Sequence, residues 1–410
     1  MRVALAFVLF AGIAAFAQRP AGPADQGLIV GQVIDAGSGR PVAGAIVTIL
    51  GSGGARSAAD TASVLSTSDG RFFFRDLPSG TFGITATKMG YVDGAAGRRR
   101  PLGPWQPITL ADGERVGDIV VRMWKCAAIT GIVTDEMGEP VVGVGVRAFR
   151  RDFGGGRPRY IAGAPGAAPT GALTDDRGVY RLGAIVPGDY IVSTVGRPVS
   201  ISVSMAQELQ GRGFVNGTDF FPVALPGSAT STQVGNVVYD LGRGTAIPSP
   251  SRDGRLFVYP ATFYPSVPTF PQAMVVSVGA GEERSAIDLQ IHPLPTVRVA
   301  GTVIGPEGAA SGVPLRMSSA ASEDVAFETD VPTAITDRNG NFEFPAVPTG
   351  QYVIRASIKA PQPDPRMPLQ PALSLQAPIA IGRADVEGLV LVLQQGYRVS
   401  GQFEFEGSAL

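Results

Sequence analysis

One pattern recurs three times along this chain, and it leaves few folds open. The copies begin at Thr67-Ser68-Asp69-Gly70-Arg71-Phe72, Thr174-Asp175-Asp176-Arg177-Gly178-Val179-Tyr180 and Thr336-Asp337-Arg338-Asn339-Gly340-Asn341-Phe342. Counting forward from Phe72, Tyr180 and Phe342, the +2 positions are Phe74, Leu182 and Phe344, and the +5 positions are Leu77, Ile185 and Val347. Gly80, Gly188 and Gly350 follow, then Phe82, Tyr190 and Tyr352, then Ile84, Val192 and Ile354. Apolar residues at every second position are the mark of half-buried strands, and Pro78, Pro187 and Pro348 just before the Gly mark a turn. Each copy therefore predicts a hairpin.

A second signature precedes the first. It reads Gly31-Gln32-Val33 with Pro41-Val42-Ala43-Gly44, Gly131-Ile132-Val133 with Pro140-Val141-Val142-Gly143, and Gly301-Thr302-Val303 with Gly312-Val313-Pro314. Closing strands are expected at Val116 to Val121, Ser285 to Ile291 and Val386 to Leu393. Six or seven short strands per roughly 100 residues predict an all-β protein of tandem small antiparallel β-sandwich modules. Only Ser204 to Gln210 has helix-forming composition, and it is too short to be stable alone.

The spacing of the signatures divides the chain. Module 1 is expected at 27–123, module 2 at 124–296 and module 3 at 297–394, with 395–410 restarting the first strand of a fourth. Module 2 carries a long insertion at about 197–258, rich in Gly, Ser, Thr and Pro, which reads as an extended loop or small excursion. Met1-Arg2, the apolar run Val3 to Phe16 and the small-residue pattern Ala15-Phe16-Ala17 read as a secretory signal peptide over 1–17, followed by a linker at 18–26. Later apolar stretches are too short to span a membrane. Export to the periplasm, outer envelope or exterior is the expectation.

Composition narrows the chemistry. The chain has 410 residues, one His, one Cys and a net charge of −1. That excludes a disulfide framework and a His-rich metal site, and it lacks the basic footprint of a nucleic-acid binder. A catalytic triad could use only His292, and no nucleophile-elbow motif occurs. Cys126 reads as a small apolar residue. Glu282-Glu283, Glu323-Asp324 and Asp175-Asp176 are paired carboxylates, but a small sandwich offers no deep cleft for glycoside hydrolysis. Asp337, Asn339 and Asn341 resemble the start of a calcium loop, yet Phe342, Phe344 and Pro345 fill the later ligand positions, so turn chemistry is the better account. Arg98-Arg99-Arg100 reads as a solvated basic loop. No metal, cofactor or catalytic residue is expected.

Aromatic side chains outside the repeated core positions are the remaining candidates, because flat rings offer stacking platforms. They are Trp105, Tyr160, Tyr239, Tyr259, Phe263, Tyr264 and Phe270, densest between Tyr259 and Phe270. Alternating Pro and aromatic residues there could equally close a sheet edge. Trp105, Tyr259, Phe263, Tyr264 and Phe270 stand as the ligand-binding candidates.

The order G-x-V, P-V-x-G-x-x-V, T-D-x-x-G-x-F/Y and L-P-x-G-x-Y-x-I resembles the carboxypeptidase regulatory-like domain family over about residues 27 to 395. The resemblance implies a transthyretin-like (prealbumin-like) or Ig-like β-sandwich, also grouped with the carbohydrate-binding-like fold. In the parent metallocarboxypeptidases this module is noncatalytic, and the zinc site, two His and a Glu, lies elsewhere. A chain with His292 alone cannot build that site. The resemblance implies an exported, noncatalytic binding or adhesion protein whose partner is a polysaccharide or cell-envelope glycan. Its alternative is a structural spacer, stalk or fragment of a larger envelope receptor or enzyme. A protein partner captured by strand addition at the 395–410 stub is a further expectation.

Overall fold

The computed structural model describes residues 27–51, 61–154, 157–162, 171–196, 198–211, 231–240, 255–320, 331–358 and 372–396. The expected leader 1–17 and linker 18–26 lie outside them, as do residues 397–410 of the expected restart 395–410, whose Gln395 pairs with Leu373 of the third sandwich. The chain divides into two compact units, Met1–Trp124 and Lys125–Leu410.

The first unit is one continuous row of strands folded over on itself. Its order is Thr61–Leu65, Ile46–Gly51, Gly80–Thr87, Tyr91–Ala96, Arg115–Lys125, Gly27–Asp35 and Arg71–Leu77, with Ile108–Leu110 also paired to Gly80–Thr87. The strand Gly27–Asp35 alternates buried and half-exposed residues along its whole length. Ile29 and Val33 thereby meet Phe72 and Phe74 from one side of the core, and Val47, Ile49, Phe82 and Ile84 from the other. Burying each such side chain contributes about 1.5–3 kcal/mol.

In the second unit the same wiring appears twice. Ala127–Thr134 pairs antiparallel with Val179–Ile185 and parallel with Glu283–Arg284 and Leu289–Gln290. Opposite lies the sheet formed by Arg157–Ala162, Gly145–Gly154, Gly188–Val195 and Val276–Val278. In the next sandwich Leu294–Gly305 pairs with Asn341–Pro348 and, in parallel, with Val386–Val392, facing a sheet built on Pro314–Ser319, Gly350–Ile358 and Leu373–Ile381.

Two expectations are corrected. The repeated Pro-x-Gly turn does not close a hairpin. Arg71–Leu77 pairs with Gly27–Asp35, whereas Gly80–Thr87 pairs with Ile46–Gly51, so the turn crosses from one sheet to the other. Alternation gives the buried face of each arm but not its neighbour. Here the buried faces of the two arms oppose each other across the core instead of lying side by side.

In the insertion, the described residues 198–211, 231–240 and 255–258 hold strands and a helix where a loop was expected. Its strands Ser231–Val234, Val237–Asp240 and Val199–Ser202 extend the sheet of the third sandwich, entering through parallel pairing of Val199–Ser202 with Thr333–Ile335. Between them Val203–Gly211 forms an α-helix, stabilised by burying Ala206 with Val199, Ile201, Val238 and Ile335. Glu208 on this helix accepts from Arg338 Nε at 2.7 Å, and Phe257–Val258 pairs with the start of Leu294–Gly305. Tyr239, counted above among the aromatics outside the core, is buried with Ala346.

Candidate functional site

Three repeated devices set the frame that presents the candidate side chains. The Gly of G-x-V sits against a bulge in the closing strand: a Cβ on Gly31, Gly131 or Gly301 would overlap the carbonyl of Ile119, Ile287 or Leu389. The turn Gly has φ of 74°, 72° and 77° at Gly70, Gly178 and Gly340, and a Cβ there would stand 2.5–2.7 Å from the carbonyls of Val33, Val133 and Val303. The residue at the head of this turn caps it. Asp175 Oδ1 accepts from the N–H groups of Arg177 and Val179 at 2.9 and 2.8 Å, Asp337 Oδ1 from those of Asn339 and Asn341 at 2.8 Å each, and Thr67 Oγ1 from that of Arg71 at 2.9 Å. The calcium-like spacing at Asp337 is thus occupied by turn bonds, as the sequence reading preferred.

The third device is a buried hydroxyl just before the turn. Ser66 Oγ accepts from Ala45 N and donates to Val42 O, both at 2.8 Å. Thr174 does the same between Val144 and Val141, and Thr336 between Val313 and Ala310. Thr174 and Thr336 stood in the sequence pattern, but nothing in a linear pattern shows that a hydroxyl spans two strands.

The five ligand candidates fall in two places. Trp105 belongs to the first unit. Its six-membered ring covers Gly83, whose Cβ position lies 3.1 and 3.2 Å from Trp105 Cζ3 and Cη2, and the side chain remains 49% exposed. Phe82 and Ile84 point into the core on either side of Gly83, so Trp105 stands on the outer face of this sheet. The strand opposite presents Leu50, paired with Gly83 and itself exposed.

Tyr259, Phe263, Tyr264 and Phe270 gather at an edge of the middle sandwich. Thr262 and Tyr264 bond to the backbone of Thr194 and Val192, while Val276–Val278 pairs with the other half of the same strand. The intervening loop, with its cis Tyr264–Pro265 bond, closes on Phe263–Val267 backbone pairing and a 3-10 turn at Phe270–Gln272. Phe263 is buried, and its ring meets Phe270 edge-on at 6.2 Å. Phe270 meets Tyr160 at 5.1 Å. Tyr259 and Tyr264 pack half-buried on the core, and burial, followed by the charges of Glu136 and Asp135, raises the Tyr259 hydroxyl above the ordinary tyrosine range. This cluster completes a sheet edge.

Glu323 and Asp324 lie outside the described residues, and several of the other groups considered for chemistry are engaged in structure. Glu283 pairs with Arg181 at 3.1 Å, and that hydrogen bond holds its carboxyl below the ordinary glutamate range. Glu282 accepts from Gly279 N at 2.7 Å. His292 is exposed, and Arg98 donates to the carbonyl of Asp93. Cys126 is half-buried. Among the described residues no three His, Cys, Asp or Glu side chains converge on a metal-sized space. Two exposed aromatics escaped the sequence reading. Phe73 lies outward under the Arg75 guanidinium at 4.9 Å, and Phe153 under that of Arg151 at 5.4 Å. Phe73 is out of phase with Phe72 and Phe74, which was the available signal.

Fold and surface together define a protein of small, all-β sandwich modules. Residues 29–121 match the model of the carboxypeptidase regulatory-like domain family, a similarity that falls on the first sandwich. No curated protein matches the sequence. Among solved structures, the chain is similar to a Bacillus anthracis protein named TIE, at 10% identity and TM-score 0.22, covering 91% of this chain and 51% of that one. This chain therefore spans about half of that structure. A streptococcal ancillary pilin is 12% identical at TM-score 0.23, covering 91% of this chain and all of that one. A putative carbohydrate-binding protein from Pseudomonas aeruginosa is 18% identical at TM-score 0.19, covering 24% of this chain and 88% of that one. TM-scores this low carry no functional meaning.

Proposed function

We propose that this is an exported, noncatalytic array of β-sandwich modules that binds a polysaccharide or cell-envelope glycan through an aromatic platform on its first module. The supporting observation is Trp105. A half-exposed indole held against a glycine on a sheet face is a rigid apolar plane of the size of a sugar ring, and rigidity keeps the ordering cost of binding low. Export rests on the leader-like segment 1–17; among the described residues no helix is long and apolar enough to cross a membrane. Tyr259, Phe263, Tyr264 and Phe270 act in this reading as edge closure and not as platform, and strand addition at 395–410 remains a separate partner route.

A glycan array and a pull-down on insoluble polysaccharide test the reading with the full chain. Trp105→Ala is expected to weaken binding about tenfold, equivalent to about 1.4 kcal/mol, while Phe270→Ala leaves it unchanged. Absence of binding to any glycan, or equal binding by Trp105→Ala, returns the chain to its alternative, a structural spacer.

A further inference from the structure

In all three sandwiches the first strand and the last strand are hydrogen-bonded neighbours that run parallel. In the first unit Gly27–Asp35 is in register with Arg115–Lys125 from Leu28↔Arg115 to Asp35↔Met123, seven residue pairs in all. In the third sandwich five pairs run from Val299↔Val386 to Ile304↔Val392. The middle sandwich has four, split into Glu283↔Ala128 with Arg284↔Ile129 and Leu289↔Val133 with Gln290↔Thr134.

Parallel pairing of the first and last strands has a mechanical consequence. The chain enters the ladder at one end, beside Leu28 and Arg115, and leaves it at the other, beyond Asp35 and Met123. Tension along the chain therefore slides the two strands past each other and loads every rung at once. Ladders loaded from one end give way one rung at a time. Side chains add ties across the same seam: Arg298 on the first strand of the third sandwich pairs with Glu387 on the last and with Glu343 on the other neighbour, the latter at 3.2 Å, and Asp288 accepts from Ile132 N at 2.9 Å in the middle one. Between these two sandwiches the Val199–Ser202 strand provides a second connection besides the chain at Ile291–Leu294.

We propose that the chain is a tension-bearing tether whose parallel terminal ladders act as shear clamps. The proposal stands independently of glycan binding, which touches none of these rungs.

Single-molecule force spectroscopy on the full chain tests it by changing the pulling direction. With handles at the two chain ends, the first unit is expected to unfold as one peak, with a contour gain of roughly 300 Å, the extended length of Gly27–Lys125 at ~3.3–3.6 Å per residue less its folded span. An Arg40→Cys handle, in a Cys126→Ser background, replaces the N-terminal one. Arg40 lies on the exposed turn after Asp35, so force between it and the C-terminus peels the same ladder from its Asp35–Met123 end. The peak of comparable contour gain should fall several-fold in force. The contour gain shows that the variant is folded. Equal or higher force in the Arg40 geometry overturns the proposal.

Discussion

The first and third sandwiches share their wiring, yet they treat one position in opposite ways. Leu65, at the end of the edge strand Thr61–Leu65, is 66% exposed, and its counterpart Ile335 is 6% exposed. Both directly precede the buried hydroxyl residue, Ser66 or Thr336, and both pair with the strand that the hydroxyl ties down. The difference is the insertion. Val199–Ser202 lies alongside Thr333–Ile335 and covers Ile335 with Ile201 and Val238, whereas Thr61–Leu65 ends its row. In the middle sandwich Leu173 occupies the same place and is 51% exposed. One module has thus incorporated a strand from its neighbour's sequence, which joins the last two sandwiches into one unit and leaves the first self-contained.

The largest effect should come from attacking that seam. Ile201→Asp would bury a carboxylate among Val199, Ala206, Val238 and Ile335 with no cation among them. An uncompensated buried charge of this kind costs about 3–5 kcal/mol. In differential scanning calorimetry the transition of the second unit should fall by roughly 10 °C, with that of the first unit unmoved. If the second unit's transition stays in place, the insertion is dispensable and the third sandwich is as self-contained as the first.

A smaller contrast concerns the corner between sheets. The Tyr190 hydroxyl donates to the carbonyl of Val186, and that of Tyr352 to the carbonyl of Pro348 at 3.0 Å. Both tie the strand back to the turn it has just left, and burial pushes the Tyr352 hydroxyl up to about 12. The first sandwich has Phe82 here, buried and without the hydroxyl. Phe82→Tyr should add a bond to the Pro78 carbonyl and stabilise the first unit by about 1 kcal/mol, or about 4–8 °C. Tyr352→Phe should destabilise the second unit by a similar free energy. A neutral or destabilising Phe82→Tyr in thermal melts would show that this corner differs in backbone between the two modules.

How far the sequence reveals this architecture depends on whether a feature is periodic. The buried faces of Phe72, Phe74, Phe82 and Ile84 follow from period 2, and the glycines at 70, 178 and 340 from turn chemistry; the structure agrees with both. Partnership is not periodic. Nothing local distinguishes a hairpin from a crossing between sheets at Pro78, and nothing in Val199-Ser200-Ile201-Ser202 names Thr333–Ile335 as its neighbour. The same limit governs the ligand candidates. Phe263 and Trp105 are both aromatics outside the repeat, but Phe263 is drawn into the edge by the pairing of its flanking residues, while Trp105 is held outward by packing on Gly83. That outcome is set by tertiary neighbours far apart in sequence.

The smallest expected effect separates the turns themselves. Asp175 accepts from two backbone N–H groups, that of Val179 first, and these hold its carboxyl below the ordinary aspartate range, whereas the first module caps the equivalent turn with Thr67, which does not titrate. A carboxyl whose folded pKa is depressed contributes stability that is complete above the unfolded value of 3.8 and is lost as pH falls through the folded one. Asp175→Asn keeps an oxygen acceptor and removes the charge. Wild type should therefore exceed Asp175→Asn in the melting temperature of the second unit at neutral pH, and the gap should close as pH drops below about 4. The residue is exposed and screened by solvent, so the gap is modest. Thr67→Val supplies the converse: the Thr67 hydroxyl donates to Asp69 and holds that carboxyl below the ordinary aspartate range, so its loss should shrink the acid dependence of the first unit. A gap for Asp175→Asn that is constant from neutral pH to pH 3 would place the effect in the shape of the turn and not in its charge, and the two modules would then cap this turn by the same physics.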